Sequence, residues 1–424
     1  MKKNKILGFS NHRKKNNYRY LLLENGFSKK DLDVGCKILR SGYITMNAET
    51  RKFEEAFAKK LKVKYAVMAN SGSSANLLST FAACNPLRKN RFKRGDEVIV
   101  PTLCWPTSLW PLYQAGLKIR FTDVDPKTLN VDADTLISKI NKKTKVIILV
   151  NILGISANNK KIANYAKKNN IIIIEDNCEG LGAKLNNKHL GTFGDFGTYS
   201  FFYSHQITSG EGGMITCHNK DDYQLLVSLR SHGWSRSNNK NEYKKNAKKY
   251  PKLDPRYIFI NQGFNLRPTD VQAAMGLNQF ERLDKFINIR ADNRKKIIQS
   301  LKKDPRWKNQ YRFIEIPKNI EPSFMGLPIF LNERMNKEIK MKLLFYLESK
   351  GIETRPILTG NFLNQPSIKL FGLNNKNLKF KGAQSIEDLG FLIGLHTKKI
   401  NQKQLSLIKN SLLSIDSLLK DIYS

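Results

Sequence analysis

Ile171-Ile172-Ile173-Ile174-Glu175-Asp176 is the stretch on which the fold turns. Four consecutive β-branched residues show no period-two alternation, so the run reads as a strand buried on both faces, as in a parallel sheet covered by helices. A second run of the same kind, Val146–Val150, precedes it, and the helical segment Asn159–Lys168 lies between them. Towards the N-terminus, the short strands Tyr65–Met68, Glu97–Val100 and Ile119–Thr122 alternate with helical stretches at Phe53–Leu61, Ala75–Cys84, Thr107–Gln114 and Ala133–Ile140. Strands separated by helices of this length imply right-handed crossovers and an α/β fold, a mainly parallel sheet flanked by helices. In the other direction the spacing predicts a strand over Met214–Thr216, a helix over Val271–Leu277 and a long helix over 279–302. A strand-like Ile329–Leu331 and a helical Asn336–Lys350 then suggest a smaller C-terminal α+β domain. The expected organisation is a basic lead-in over 1–30, a large domain over 31–285 and a small domain over 286–424, with the boundary inside the long helix. Residues 236–256, rich in Lys and Asn with two prolines, read as a long surface loop.

The 424 residues carry a formal charge of +37, yet hydrophobic residues make up 40%, which argues against disorder. The basic residues are scattered rather than gathered in one stripe, so they predict a diffuse positive field for anionic small molecules and no nucleic-acid binding. No apolar run nears the roughly 20 residues that span a bilayer, and the basic start has no apolar core of a signal peptide. Five cysteines without a CxxC pair fit a reducing compartment, and a cytoplasmic location is expected.

Four pieces fall where open α/β sheets build sites, at the carboxyl ends of strands. Ser71-Gly72-Ser73-Ser74-Ala75, between a strand and a helix, allows backbone N–H groups to approach a phosphate, although a Ser N-cap explains it equally well. Asp176 ends the buried strand where an acceptor could hold a protonated pyridine nitrogen, or where a carboxylate simply caps a turn; Glu179 could reach the same cavity. Ser200-Phe201-Phe202-Tyr203-Ser204-His205 reads as an aromatic strand ending at a histidine, followed by a Gly-rich turn to Gly213. Gly263-Phe264-Asn265-Leu266-Arg267 could present an amide and a guanidinium to an anion, while Thr269 and Asp270 suffice to cap the helix that follows.

Together with "FTDVDPKTLNVD" (121–132), "EDNCEGLGA" (175–183) and "IETRP" (352–356), these segments resemble the DegT/DnrJ/EryC/StrS sugar aminotransferase family of fold-type I pyridoxal-phosphate proteins. The resemblance runs from about Ser41 to the "GLHTKK" stretch at 394–399. It implies pyridoxal or pyridoxamine 5′-phosphate as cofactor. By motif position, Gly72 and Ser73 would hold the phosphate with Ser200, Trp105 would stack on the ring, Asp176 would pair with its nitrogen, and Glu179 would contact its 3-oxygen side. Asn265 would reach the phosphate of a neighbouring subunit's cofactor, implying a homodimer with shared sites. Arg267, Glu353, Arg355 and His396 are assigned to a glutamate or sugar subsite, and Phe201 and Phe202 to the core.

One departure changes the implied chemistry. The family's aminotransferases carry at the position of His205 the lysine that binds the cofactor covalently, and imidazole has no primary amine. The sequence is therefore similar to the family's 3-dehydratase branch, which works with pyridoxamine phosphate. His205 would be the catalytic base: an imidazole with an ordinary pKa of about 6.5 is largely neutral at pH 7. The implied reaction removes the C3 hydroxyl of a nucleotide-linked 4-keto-6-deoxyhexose, with L-glutamate restoring the amine cofactor, for polysaccharide or O-antigen sugar biosynthesis. The stretch 352–362 most resembles the GDP-mannose-derived branch, a resemblance that implies GDP-4-keto-6-deoxy-mannose as substrate. Only Cys217 lies downstream of His205, so no iron–sulfur cluster, no metal and no electron-transfer reductase are expected. The alternatives are an aminotransferase in which Lys184, Lys188 or another lysine substitutes, and a catalytically inactive regulatory relative, whose decay of the remaining site the sequence does not show.

Overall fold

The structure, a computed structural model, describes residues 18–24, 26–237, 240–373 and 379–416. Seven strands form the central sheet: β1 (Tyr65–Ala69), β2 (Glu97–Pro101), β3 (Lys118–Thr122), β4 (Thr144–Val150), β5 (Ile172–Asp176), β6 (Phe196–Ser200) and β7 (Gly213–Cys217). Their spatial order is β1-β7-β6-β5-β4-β2-β3, and only β7 runs against the others. The isoleucine run is buried along its whole length, with Val150 and Thr198 flanking Asp176 in register. A parallel sheet covered on both sides is what such a run requires, and the expected fold class stands.

Local differences have local causes. The helix expected from Ala75 begins at Gly72, because Ser71 Oγ accepts the Ser74 N–H at 3.0 Å and caps it there. The two helices expected over Val271–Leu277 and 279–302 are Asp270–Phe280 and Leu283–Lys302, so the break falls later than expected. Between them Arg282 leaves helical geometry (φ −103°, ψ 5°), and its guanidinium is paired with Asp31. The expected loop over 236–256 contains a helix, Lys240–Lys249, ended before Pro251. Being polar all round, it gives no apolar stripe to read in the sequence.

The C-terminal part is built on a four-stranded antiparallel sheet, Tyr311–Arg312, Gly326–Leu331, Gly390–Gly394 and Thr354–Arg355 in that order, packed by helices that include Lys337–Ser349 and Gln402–Leu413. The lead-in is not a separate segment where it is described. Tyr20 is buried and its hydroxyl donates to Gly394 O at 2.9 Å, while the Leu22 N–H donates to Glu353 Oε2 at 2.8 Å. Residues 1–17 of the lead-in lie outside the described residues. Among the described residues, no helix is long and apolar enough to cross a membrane.

Candidate active site

A cavity of about 510 Å³ opens at the carboxyl ends of β5 and β6, against the start of the helix Gly72–Ala83. This is where a doubly wound sheet leaves room for a ligand. Its lining includes Gly72, Ser73, Trp105, Asp176, Glu179, Ser200, His205 and Arg355, bringing together eight of the twelve residues singled out in the sequence.

Gly72 and Ser73 occupy the first turn of their helix, whose leading N–H groups have no intrahelical acceptor. A Cβ on Gly72 would stand 2.5 Å from Ser200 Cβ, so only glycine lets the helix end approach β6 this closely. The result is a small cradle of donors, with the Ser200 hydroxyl beside it, suited to a phosphate.

Asp176 is buried at the cavity floor. Asn76 Nδ2 and Ser108 Oγ both donate to its Oδ2, at 2.8 and 2.6 Å, and the Cys178 N–H donates to Oδ1 at 3.2 Å. Asn76 is itself oriented by Thr198, whose hydroxyl donates to Asn76 Oδ1 at 2.6 Å. None of these three supporting side chains is visible as functional in the sequence.

His205 does not end the strand, as expected; β6 stops at Ser200 and the histidine lies five residues on, in a turn where its N–H donates to Phe202 O at 3.1 Å. Burial pushes its imidazole down to about 4, only partly opposed by the Ser200 carbonyl and Asp176, so the ring is neutral over the physiological range. Its Nδ1 is buried without a partner. Behind the loop, the fully buried Arg290 donates to the carbonyls of His205, Gln206 and Leu395 at 3.2, 2.9 and 3.0 Å, fixing the turn to the C-terminal part.

Glu179 is pushed up to about 7 by burial, with Asp176 adding to the rise and the Leu153 N–H at 3.4 Å opposing it. Trp105 precedes the helix Pro106–Gln114 and is 51% exposed on the cavity, an indole face open to a ring. Phe201 is core as expected, but Phe202 is not: it is 46% exposed, lines the cavity and meets the His205 ring edge-on at 6.0 Å. Its place after the end of β6 frees it from the sheet's alternation.

Four expected site residues are elsewhere in this chain. Asn265 is exposed, accepting from Arg267 Nε at 3.1 Å, and neither lines the cavity. Glu353 acts through another residue: one oxygen takes the Leu22 N–H and the other takes Arg355 Nη2 at 2.6 Å. His396 is a correction with a clear cause. Its ring stacks on Tyr20 at 4.3 Å, with Nε2 2.7 Å from Leu21 O and Nδ1 3.2 Å from Glu24, so both nitrogens are engaged by the N-terminal segment. Lys184 pairs with Glu321 at 3.0 Å and Lys188 lies over the Phe193 ring at 4.5 Å; neither reaches the cavity. Among the described residues, no lysine lines it.

Comparison with known proteins identifies similar chains. The chain is 36% identical over 384 residues to the GDP-4-keto-6-deoxy-D-mannose 3-dehydratase of Yersinia pseudotuberculosis, covering 90% of this chain and 95% of that protein. The enzyme of the same name from Escherichia coli O55:H7 is 37% identical over 361 residues, 85% and 90% of the two chains. An E. coli GDP-4-keto-6-deoxy-D-mannose 3-dehydratase solved with bound hydrated pyridoxal phosphate superposes with a TM-score of 0.84 at 32% identity, over 93% of this chain and 99% of that one. A structure of such a dehydratase with a trapped pyridoxal phosphate–glutamate geminal diamine gives 0.82 at 31%, over 93% and 100%. With the cradle, the buried aspartate and the loop histidine in one cavity, and residues 28–409 matching the family profile, the chain belongs to the DegT/DnrJ/EryC1/StrS aminotransferase family.

Proposed function

We propose that this chain is a pyridoxamine-phosphate-dependent 3-dehydratase of GDP-4-keto-6-deoxy-mannose, with the amine cofactor restored from L-glutamate. The observation that carries the reading is the cavity lining: His205 is part of it and, among the described residues, no lysine is, beside the glycine cradle, the buried Asp176 and the exposed Trp105. The residues fit the cofactor on their own geometry. The cradle at Gly72 excludes any Cβ, the Asp176 carboxylate is held by three donors, and the Trp105 face is open.

When bound, the cofactor supplies an amine for the C4 ketone of the sugar and a ring that withdraws electrons from the carbon between them. Asp176 would receive the protonated ring nitrogen; Gly72, Ser73 and Ser200 would hold the phosphate, Trp105 would cover the ring, and Glu179, its acid pushed up to about 7 by burial, would face the 3-oxygen. With the cofactor bound, neutral His205 would act as the base for the proton that the cofactor makes acidic and, once protonated, would deliver a proton to the C3 oxygen of the sugar, which leaves as water. Arg355, held by Glu353, offers its charge to an anionic group of the glutamate or the nucleotide sugar. Asn265, exposed and away from its own cavity, would serve the cofactor phosphate of a second copy in a homodimer, a reading its exposure supports. The metabolic setting is lipopolysaccharide sugar biosynthesis.

Mass spectrometry of the products formed from GDP-4-keto-6-deoxy-mannose, L-glutamate and cofactor tests this. A 4-keto-3,6-dideoxy sugar with ammonia and 2-oxoglutarate is expected; a 4-amino sugar overturns the reading in favour of aminotransfer.

A further inference from the structure

Four elements meet at one carboxylate. Asp176 ends β5, Thr198 lies beside it in register on β6, Asn76 projects from the helix Gly72–Ala83, and Ser108 from the helix Pro106–Gln114. All four side chains are buried. Thr198 donates to Asn76 Oδ1, which turns the amide so that its NH₂ faces Asp176; a reversed amide would set oxygen against oxygen. Asn76 and Ser108 then both donate to Oδ2, leaving Oδ1 with the Cys178 N–H at 3.2 Å. A carboxylate with one oxygen taken by two side chains can rotate only by breaking both bonds.

Resting on the function proposed above, we propose that Ser108 and Asn76, with Thr198 behind Asn76, are positioning residues that aim Asp176 Oδ1 at the ring nitrogen of the cofactor. Ser108 has a second effect. Its N–H donates to Trp105 O at 2.9 Å while its hydroxyl donates to Asp176, so it ties the backbone that carries the indole to the carboxylate. The three residues act through Asp176 and touch no substrate themselves.

The test is titration of cofactor-free protein with pyridoxamine 5′-phosphate, read as Kd and as the pH at which the absorption band of the ring shifts, beside the melting temperature without cofactor. Ser108→Ala is expected to weaken binding about tenfold or more, the worth of one hydrogen bond to a charged acceptor, and to move the ring's titration to lower pH. Thr198→Val, which keeps the side-chain shape, should do the same to a smaller degree, and Thr198→Ser should restore wild-type values. Thr198→Val carries the test alone should Ser108→Ala not fold. Unchanged Kd and an unshifted band in the folded variants, with or without a lower melting temperature, overturn the inference and leave the network a purely structural role. Failure of the wild-type chain to bind pyridoxamine 5′-phosphate would instead bring down the functional reading on which it rests.

Discussion

Glu175 and Asp176 are adjacent carboxylates on one strand, and the pleat sends them to opposite faces of the sheet. On one face Glu175 is fully buried and saturated: it accepts from Asn159 Nδ2 at 2.6 Å, Asn151 Nδ2 at 3.4 Å and the backbone N–H groups of Gly191, Phe193 and Gly194 at 2.9, 2.5 and 2.7 Å. That carboxylate shapes the loop 191–194 and has nothing left to offer a ligand. On the other face Asp176 has fewer donors and borders the cavity. Two neighbouring acidic residues are thus divided by how completely the fold satisfies them. A buried carboxylate with all its lone pairs engaged holds structure, whereas one with an oxygen turned to a cavity is available for chemistry.

The comparison is broken most severely on the open face. His205→Lys removes the untethered base and should lower the dehydration rate about 10²–10⁴-fold, the usual share of a general acid–base group, measured as release of dideoxy sugar. Asp176→Asn should weaken cofactor binding about ten- to hundredfold, since one charge-assisted hydrogen bond is lost, while the melting temperature of the cofactor-free chain changes little. Glu175→Gln should do the reverse. Its amide sets a donor against backbone N–H groups and should destabilise the fold by about 1–3 kcal/mol, read from denaturant unfolding, with cofactor affinity of the folded fraction nearly kept.

A smaller effect sharpens the contrast by pH. Glu179, raised from 4.5 to about 7 by burial, binds its proton more tightly in the folded chain. The stability it contributes is therefore full below pH 4.5 and is lost as pH rises through about 7. His205, lowered from 6.5 to about 4, has the opposite sign: its contribution is present above pH 6.5 and is lost as pH falls towards 4. In Glu179→Gln without cofactor, the fall in melting temperature between pH 4.5 and 7 should be shallower than in wild type; an identical slope would show that Glu179 does not titrate there.

How much of this could be read in advance follows from the same physics. Strands β4 and β5 were legible because residues buried on both faces leave an unbroken β-branched run, and Gly72, Asp176 and His205 because their segments fall at strand ends. Asn76, Ser108 and Thr198 were not, because a small polar residue on a helix or strand carries no sign of what it will face after folding. The break at Arg282 and the partners of His396 depend on Asp31, Tyr20 and Glu24, which are far away in sequence and adjacent only in the fold. Phe202, expected in the core with Phe201, lies past the end of β6, where an aromatic residue's identity does not fix its burial.

The central claim is that the cofactor works without a covalent tether to the chain. Borohydride reduction of the cofactor-loaded protein in its pyridoxal form, followed by intact-mass measurement, tests it most directly. An unmodified chain mass and cofactor fully released on denaturation are expected; a stoichiometric pyridoxyl-phosphate adduct on one lysine would contradict the claim.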